Sequence, residues 1–169
     1  MQGRVHVRKH VVIVQGRRVV DVSGVGAHMC DGYERCIHDN LVLRYVVDRV
    51  RRTITIATEF DGDAQHEFTD VVFKDVVAYH FEHDSFELGT ILFSITDRPG
   101  RDAVGWAEQL FEDGRPFGWP ASWNTSLEDS RRYLDANGVR AFEVTSSVGL
   151  CGWVLAGSMD LVASSAGEP

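Results

Sequence analysis

Seven histidines and three cysteines are the residues of this chain whose types could hold a metal, move a proton or attack a substrate. His80 and His83 stand three apart in AYHFEHD. On a strand, positions three apart point to opposite faces, so His80 shares a face with Glu82, and His83 with Phe81. Zinc needs three or four convergent ligands. The pair therefore predicts no metal site, with His80 facing solvent. Cys30, Cys36 and His38 offer soft ligands, but the C-x5-C spacing lacks the two-to-four residue gap and second knuckle of a zinc site. Cys36 reads as core. As a nucleophilic pair, Cys36 and His38 are two apart on a helix and do not face each other. Neither metal nor cofactor is expected.

His38-Asp39 is the remaining candidate for acid/base chemistry, because a neighbouring carboxylate can raise an imidazole pKa into the physiological range. Adjacent residues rarely pair productively, however. The plainer reading has Asp39 or Asn40 closing a turn while His38 packs at a strand entrance. Asp61, Asp63, Glu67, Asp84 and Glu87 fall in two acidic loops without the ligand alternation of an EF-hand, so they form a solvated rim or a contact for a basic partner. Trp119 and Trp123, in a loop with Phe117 and two prolines, are satellite core or interface anchors. Phosphate loops, G-x-S-x-G elbows and paired glycosidase carboxylates are absent from the sequence.

These residues sit in a chain of two charge regimes. Residues 1–30 hold five Arg/Lys against one Asp, and residues 31–169 hold twelve against twenty-four, giving −8 in all. An acidic body repels nucleic acid phosphate and anionic lipid and steers toward basic proteins. No nucleic acid or membrane partner is expected. A length of 169 residues suits one domain burying roughly 70% of its extended surface. No apolar run reaches a membrane-spanning length, and three cysteines are an odd, sparse set, as expected of a cytoplasmic protein.

The elements that must position the candidates follow from periodicity. RVHVRKHVVIV, a break at Gln15-Gly16 and Val19–Val22 read as a basic hairpin, and Met29 is a plausible start that would make residues 1–28 a non-native extension. Asp31 and Glu34 have capping-box spacing for a short helix that hands over to the first strand at His38-Asp39. Leu41, Leu43, Tyr45 and Val47 alternate as the inward stripe of a strand, followed by RTITIATEF as its hairpin partner. EFTDVVFKD, VVAYHFEHD and GTILFSITD continue an antiparallel meander of about five strands or more. Ala103, Val104, Trp106, Ala107, Leu110 and Phe111 share one helical face, which predicts a helix covering the sheet. Ser126 and Asp129 cap a further helix that ends at Asn137-Gly138. AFEVTSS and CGWVLAGSMDLVA close the chain as strands, and SSAGEP is a tail. The fold class is α+β, an antiparallel sheet with two to three helices on one side, in a single acidic domain over residues 29–169.

The order IHDN, LVLRYVVD, RTITIATEF, TDVVFKDVVAYHFEHD and AFEVTSSVGLCGWVLA resembles the YxiG-like bacterial family of small β-rich proteins and is similar to the immunity proteins of polymorphic toxins. The resemblance covers roughly residues 31–163. It implies a sheet with helices on one side, no enzymatic activity and neutralisation of a cognate toxin. The sequence is thus read first as a non-enzymatic binding protein for a basic partner, through Asp61, Asp63, Asp84, Glu87, Trp119 and Trp123. An enzyme using His38 and Asp39, and a module that homo-oligomerises through a sheet edge, are the alternatives.

Overall fold

A computed structural model describes residues 37–62, 66–85, 87 and 89–164. The basic hairpin, Met29, Cys30, Cys36, Asp63 and residues 165–169 lie outside that set. The elements are β1 (Leu41–Asp48), β2 (Thr53–Asp61), β3 (His66–Lys74), β4 (Ala78–Glu82), β5 (Ile91–Pro99), α1 (Gly100–Trp106), α2 (Glu108–Gly114), α3 (Leu127–Ala136), β6 (Arg140–Val148), β7 (Cys151–Ala156) and β8 (Ser158–Ala163). This is the α+β fold that the periodicity predicts.

Local chemistry sets the hairpins. The Asp48 carboxylate accepts the N–H groups of Val50 (2.9 Å) and Arg51 (2.8 Å), an Asx turn that reverses β1 into β2. Along β2 the side chains alternate, with Ile54, Ile56 and Thr58 buried, and β3 answers with Thr69, Val71 and Phe73.

All strand pairs are antiparallel, in the order β4-β7-β6-β5-β1-β2-β3-β8. Two three-strand meanders, β1-β2-β3 and β5-β6-β7, are joined at a corner. There, residues 75–77 lead β3 into β4, and Gly157 alone leads β7 into β8. The Gly157 N–H donates to the Lys74 carbonyl (2.9 Å) and the Val77 N–H to the Leu155 carbonyl (2.8 Å), so backbone bonds bridge the corner while the register shifts by one residue. Counting each bent pair as one stave, six staves run in a ring. It closes at a seam between β5 and β1, where one residue pair, Leu41 and Ile91, is in register. Three backbone bonds reinforce the seam: Val42 to Thr90 (2.8 Å), Leu92 to Asn40 (2.9 Å) and Asp39 to Leu92 (2.9 Å).

The interior is one apolar cluster built on Ile54, Ile56, Val71, Phe73, Leu92, Phe142, Val144 and Val154. Side chains from the other three strands, among them Val42, Tyr79, Phe81 and Met159, pack against it. A second cluster lies outside the ring, where Ala103, Val104, Phe111 and Leu134 of the helices meet Ala78, Ala141, Trp153 and Leu155. The helices therefore cover one side of the sheet. Gly100 lets α1 lie against the chain after α3, since a Cβ there would stand 2.5 Å from the Val139 carbonyl oxygen.

Three expectations need correction. The β1 stripe does not run inward from Leu41 to Val47. A bulge between Val42 and Arg44 inverts the alternation, so Val42 and Val47 join the core while Leu41 and Leu43 face out. The single helix over residues 103–111 is two helices, bent at Ala107 (φ −109°, ψ 26°), and Trp106 is 44% exposed instead of buried. The CGWVLAGSMDLVA stretch, expected as one strand, is two, β7 and β8, parted at Gly157, while residues 37–40 form the expected turn, with the Asn40 N–H bonded to the Ile37 carbonyl. Among the described residues no helix is long and apolar enough to cross a membrane.

Candidate functional site

The bulge in β1 brings apolar side chains to the surface. Leu41 and Leu43 keep 42% and 45% of their surface exposed, Val46 52% and Phe93 40%. Leu41 pairs with Ile91 across the seam and Ile91 with Val148 of β6, so three of the exposed apolar residues stand side by side on one face. The patch spans the weakest junction of the ring. Acidic residues stand near it in the chain. Gly89 lies against Leu41, its nearest atom to a hypothetical Cβ being Leu41 Cδ1 at 3.6 Å, and exposed Glu87 precedes it in the same loop. Asp84, also in that loop, accepts the Tyr45 hydroxyl at 3.4 Å. Burial pushes the Tyr45 phenol above its ordinary value, and the Asp84 charge and hydrogen bond push it further the same way. Asp39 completes this side, and Arg44 is the basic residue of β1.

His38 stands at the edge of the patch. Its ring lies 5.1 Å from that of Phe93, and its Nδ1 is 3.0 Å from the Asp39 carboxylate. The neighbours do pair, contrary to expectation, because Asp39 takes a left-handed conformation (φ 66°) that folds its side chain back. His38 does pack at the strand entrance. Neither of the two recesses that flank β4 is lined by His38 or Asp39.

The other predicted contacts are spread over the molecule. Asp61 is exposed at the end of β2 and contacts His66, whose other ring nitrogen meets Glu59. Tyr45, the contact of Asp84, is opposite Ile56, five residues from Asp61 along β2, which is roughly 15 Å of strand. The two acidic loops are thus apart. Trp119 and Trp123 are partly buried in the outer cluster: Trp119 meets Phe111 edge-on at 5.3 Å, and Trp123 stacks on Tyr133 at 4.6 Å. Asn124 anchors their loop, donating to the Phe111 (2.8 Å) and Trp119 (2.9 Å) carbonyls and accepting from Ser130 (2.7 Å).

β4 carries a second concentration of chemistry. It pairs with β7 alone among the described residues. It borders a recess of ≈ 530 Å³ that includes Val47, Arg52, Tyr79, Phe81 and Trp119, and a cleft of ≈ 330 Å³ with Trp106, Trp153, His80 and Glu82. Glu82, His83 and Cys151 gather at its end, their ligand atoms all within 4.8 Å of one another. His83 lies 68 residues from Cys151, so no local motif announces the group. The expectation that His83 shares a face with Phe81 fails because His83 adopts φ 61°, which ends the strand geometry on which that parity rests. Burial pushes the Cys151 thiol above its ordinary value, and the Glu82 charge and hydrogen bond add to the effect.

Comparison with known proteins returns no matching family model, no matching curated protein and no matching solved structure.

Proposed function

We propose that this chain is a non-enzymatic cytoplasmic binding protein, immunity-like in role, that engages a basic protein through the apolar face crossing the β1–β5 seam. One juxtaposition supports this reading: Leu41, Ile91 and Val148 are register neighbours exposed together, with Leu43 and Phe93 exposed on the same two strands and Asp39 and Glu87 each two residues in the chain from a residue at the seam. An apolar centre with a charged rim is the anatomy of a protein interface, in which the centre supplies affinity and the rim steers encounter. A chain with eight more acidic than basic residues complements a basic surface. The resemblance to the YxiG-like group and to toxin immunity proteins points to a toxin as the class of partner. Of the residues first expected to make contact, Asp84 and Glu87 stay in the proposed rim. Asp61, at the end of β2, lies two residues beyond Glu59, the register partner of Leu41, and Trp119 and Trp123 are partly buried in the outer cluster.

The test takes the full chain and the basic proteins encoded beside its gene, measured by calorimetry. Leu43→Asp should weaken binding at least about tenfold, equivalent to ~1.4 kcal/mol. The double change Asp84→Asn/Glu87→Gln should slow association and flatten its dependence on salt. Binding that is indifferent to both changes, or absence of a neighbouring basic ligand, overturns the proposal.

A second reading has its own observation. The edge of β4 that pairs with no strand among the described residues is a site where another strand could add, in a homo-oligomer or otherwise. Sedimentation of the full chain beside a version starting at Met29 tests it, and a monomer in both cases excludes it as a self-association device.

A further inference from the structure

The strand ladder holds three metal-ligating side chains at one point. Glu82 and Cys151 are register partners across β4 and β7, so their backbones cannot drift apart. Gly152 makes that approach feasible: a Cβ there would stand 2.0 Å from the His80 carbonyl oxygen, and its φ of 146° suits glycine. The left-handed conformation of His83 then swings its ring to the same sulfur, with Nδ1 3.2 Å from Cys151 Sγ. From the other side Glu82 Oε1 lies 3.8 Å from that sulfur.

We propose that Cys151, His83 and Glu82 form a binding site for a borderline-soft divalent cation of the zinc class, with the fourth coordination position open. Metal–sulfur bonds of about 2.3 Å and metal–nitrogen or metal–oxygen bonds of about 2.0 Å at tetrahedral angles place ligand atoms about 3.5 Å apart. The observed 3.2 and 3.8 Å bracket that value. Thiolate, imidazole and carboxylate together select zinc-class ions over calcium or magnesium, which take oxygen ligands throughout. The second carboxylate oxygen of Glu82 meets His80 Nε2 at 3.7 Å, an outer partner that orients the ligand. Because Glu82 and Gly152 also line the cleft beside Trp106 and Trp153, an ion here is within reach of an exogenous ligand entering that cleft. This inference is independent of the partner-binding face on β1 and β5.

Cobalt(II) titration of the reduced full chain tests it, because thiolate ligation gives a near-ultraviolet charge-transfer band and zinc competition then reports affinity. One equivalent should bind with that band. Cys151→Ser should abolish it, and His83→Ala, at an exposed position, should weaken cobalt at least about tenfold with the far-ultraviolet spectrum unchanged. The double variant Cys30→Ser/Cys36→Ser should leave the band intact. A wild-type chain without the band, or a band that survives Cys151→Ser, overturns the site, as does one that depends on Cys30 and Cys36. Failure of this experiment leaves the basic-partner measurement untouched.

Discussion

Thr58, fully buried in β2, donates its hydroxyl hydrogen to the Thr69 carbonyl at 2.7 Å and accepts from Asn40 Nδ2 at 2.8 Å. This one group ties the entry of β1 to β3 across the strand between them. Thr58→Val keeps the shape but strands the Asn40 amide, so it should cost about 1–3 kcal/mol in urea unfolding with an unchanged denaturant slope. Thr55→Val, on the half-exposed side of the same strand, should be close to neutral. Tyr45 offers a titration with a defined sign. Its phenol is held protonated above the ordinary value of 10.0, first by burial and then by Asp84. That contribution to stability is full below the ordinary value and disappears as pH rises through the raised one. Asp84→Asn should lower the Tyr45 transition, read by tyrosine-resolved NMR, without returning it all the way, since burial remains. An unmoved transition would show that the Asp84 contact is not formed in solution.

At the scale of elements, α3 shows how fully a local signal can be read. Ser126 and Asp129 predict the start, and in the structure Ser126 Oγ accepts the Asp129 N–H at 3.1 Å while the Asp129 carboxylate takes the hydroxyls of Thr125 and Ser126. Those bonds, Thr125 first, hold the Asp129 carboxyl below its ordinary value. Gly138, at φ 62°, ends the helix where Asn137-Gly138 predicts. Ser126→Ala should destabilise the protein by about 1 kcal/mol, measured by thermal or urea unfolding. No effect would mean that α3 does not depend on its cap. The turn after β1 was equally legible, because Asp48 supplies its own acceptor. The bulge at Leu43 was not. LVLRYVV offers apolar residues on both faces, and which face turns inward depends on the partner residues of β2, not on the period of β1.

For the whole molecule, the seam between β1 and β5 is the weak junction of the ring. Register pairing there is limited to one residue pair, against eight between β2 and β3. Hydrogen exchange should therefore find the amides of Asp39, Val42 and Leu92 opening more readily than those of Ile56 and Val71. Equal protection at both places would mean that the ring opens only as a unit. The same junction carries the exposed Leu41–Ile91–Val148 face, so a partner that binds there should slow exchange at the seam first. The surplus of acids adds long-range steering to that face, an effect that fades within about 8 Å at physiological salt.

The sequence by itself determined the α+β class, most of the strands, the caps of α3, the turn after β1 and the acidic character of the body. Each of these follows from short-range chemistry: an alternation of period two, a helical stripe, a side chain that caps its own turn. Tertiary structure alone decided the rest. CGWVLAGSMDLVA reads in sequence as one strand, yet Gly157 within it is the corner at which a sheet becomes a ring, where its N–H bonds the Lys74 carbonyl. The tryptophans at 119 and 123 went to the outer core because Phe111 and Tyr133 stand where those rings reach. Glu82, His83 and Cys151 met because strand register, a glycine that permits close approach and one left-handed residue converge at the end of β4. Such convergence depends on contacts between residues far apart in the chain, and short-range patterns carry no record of it.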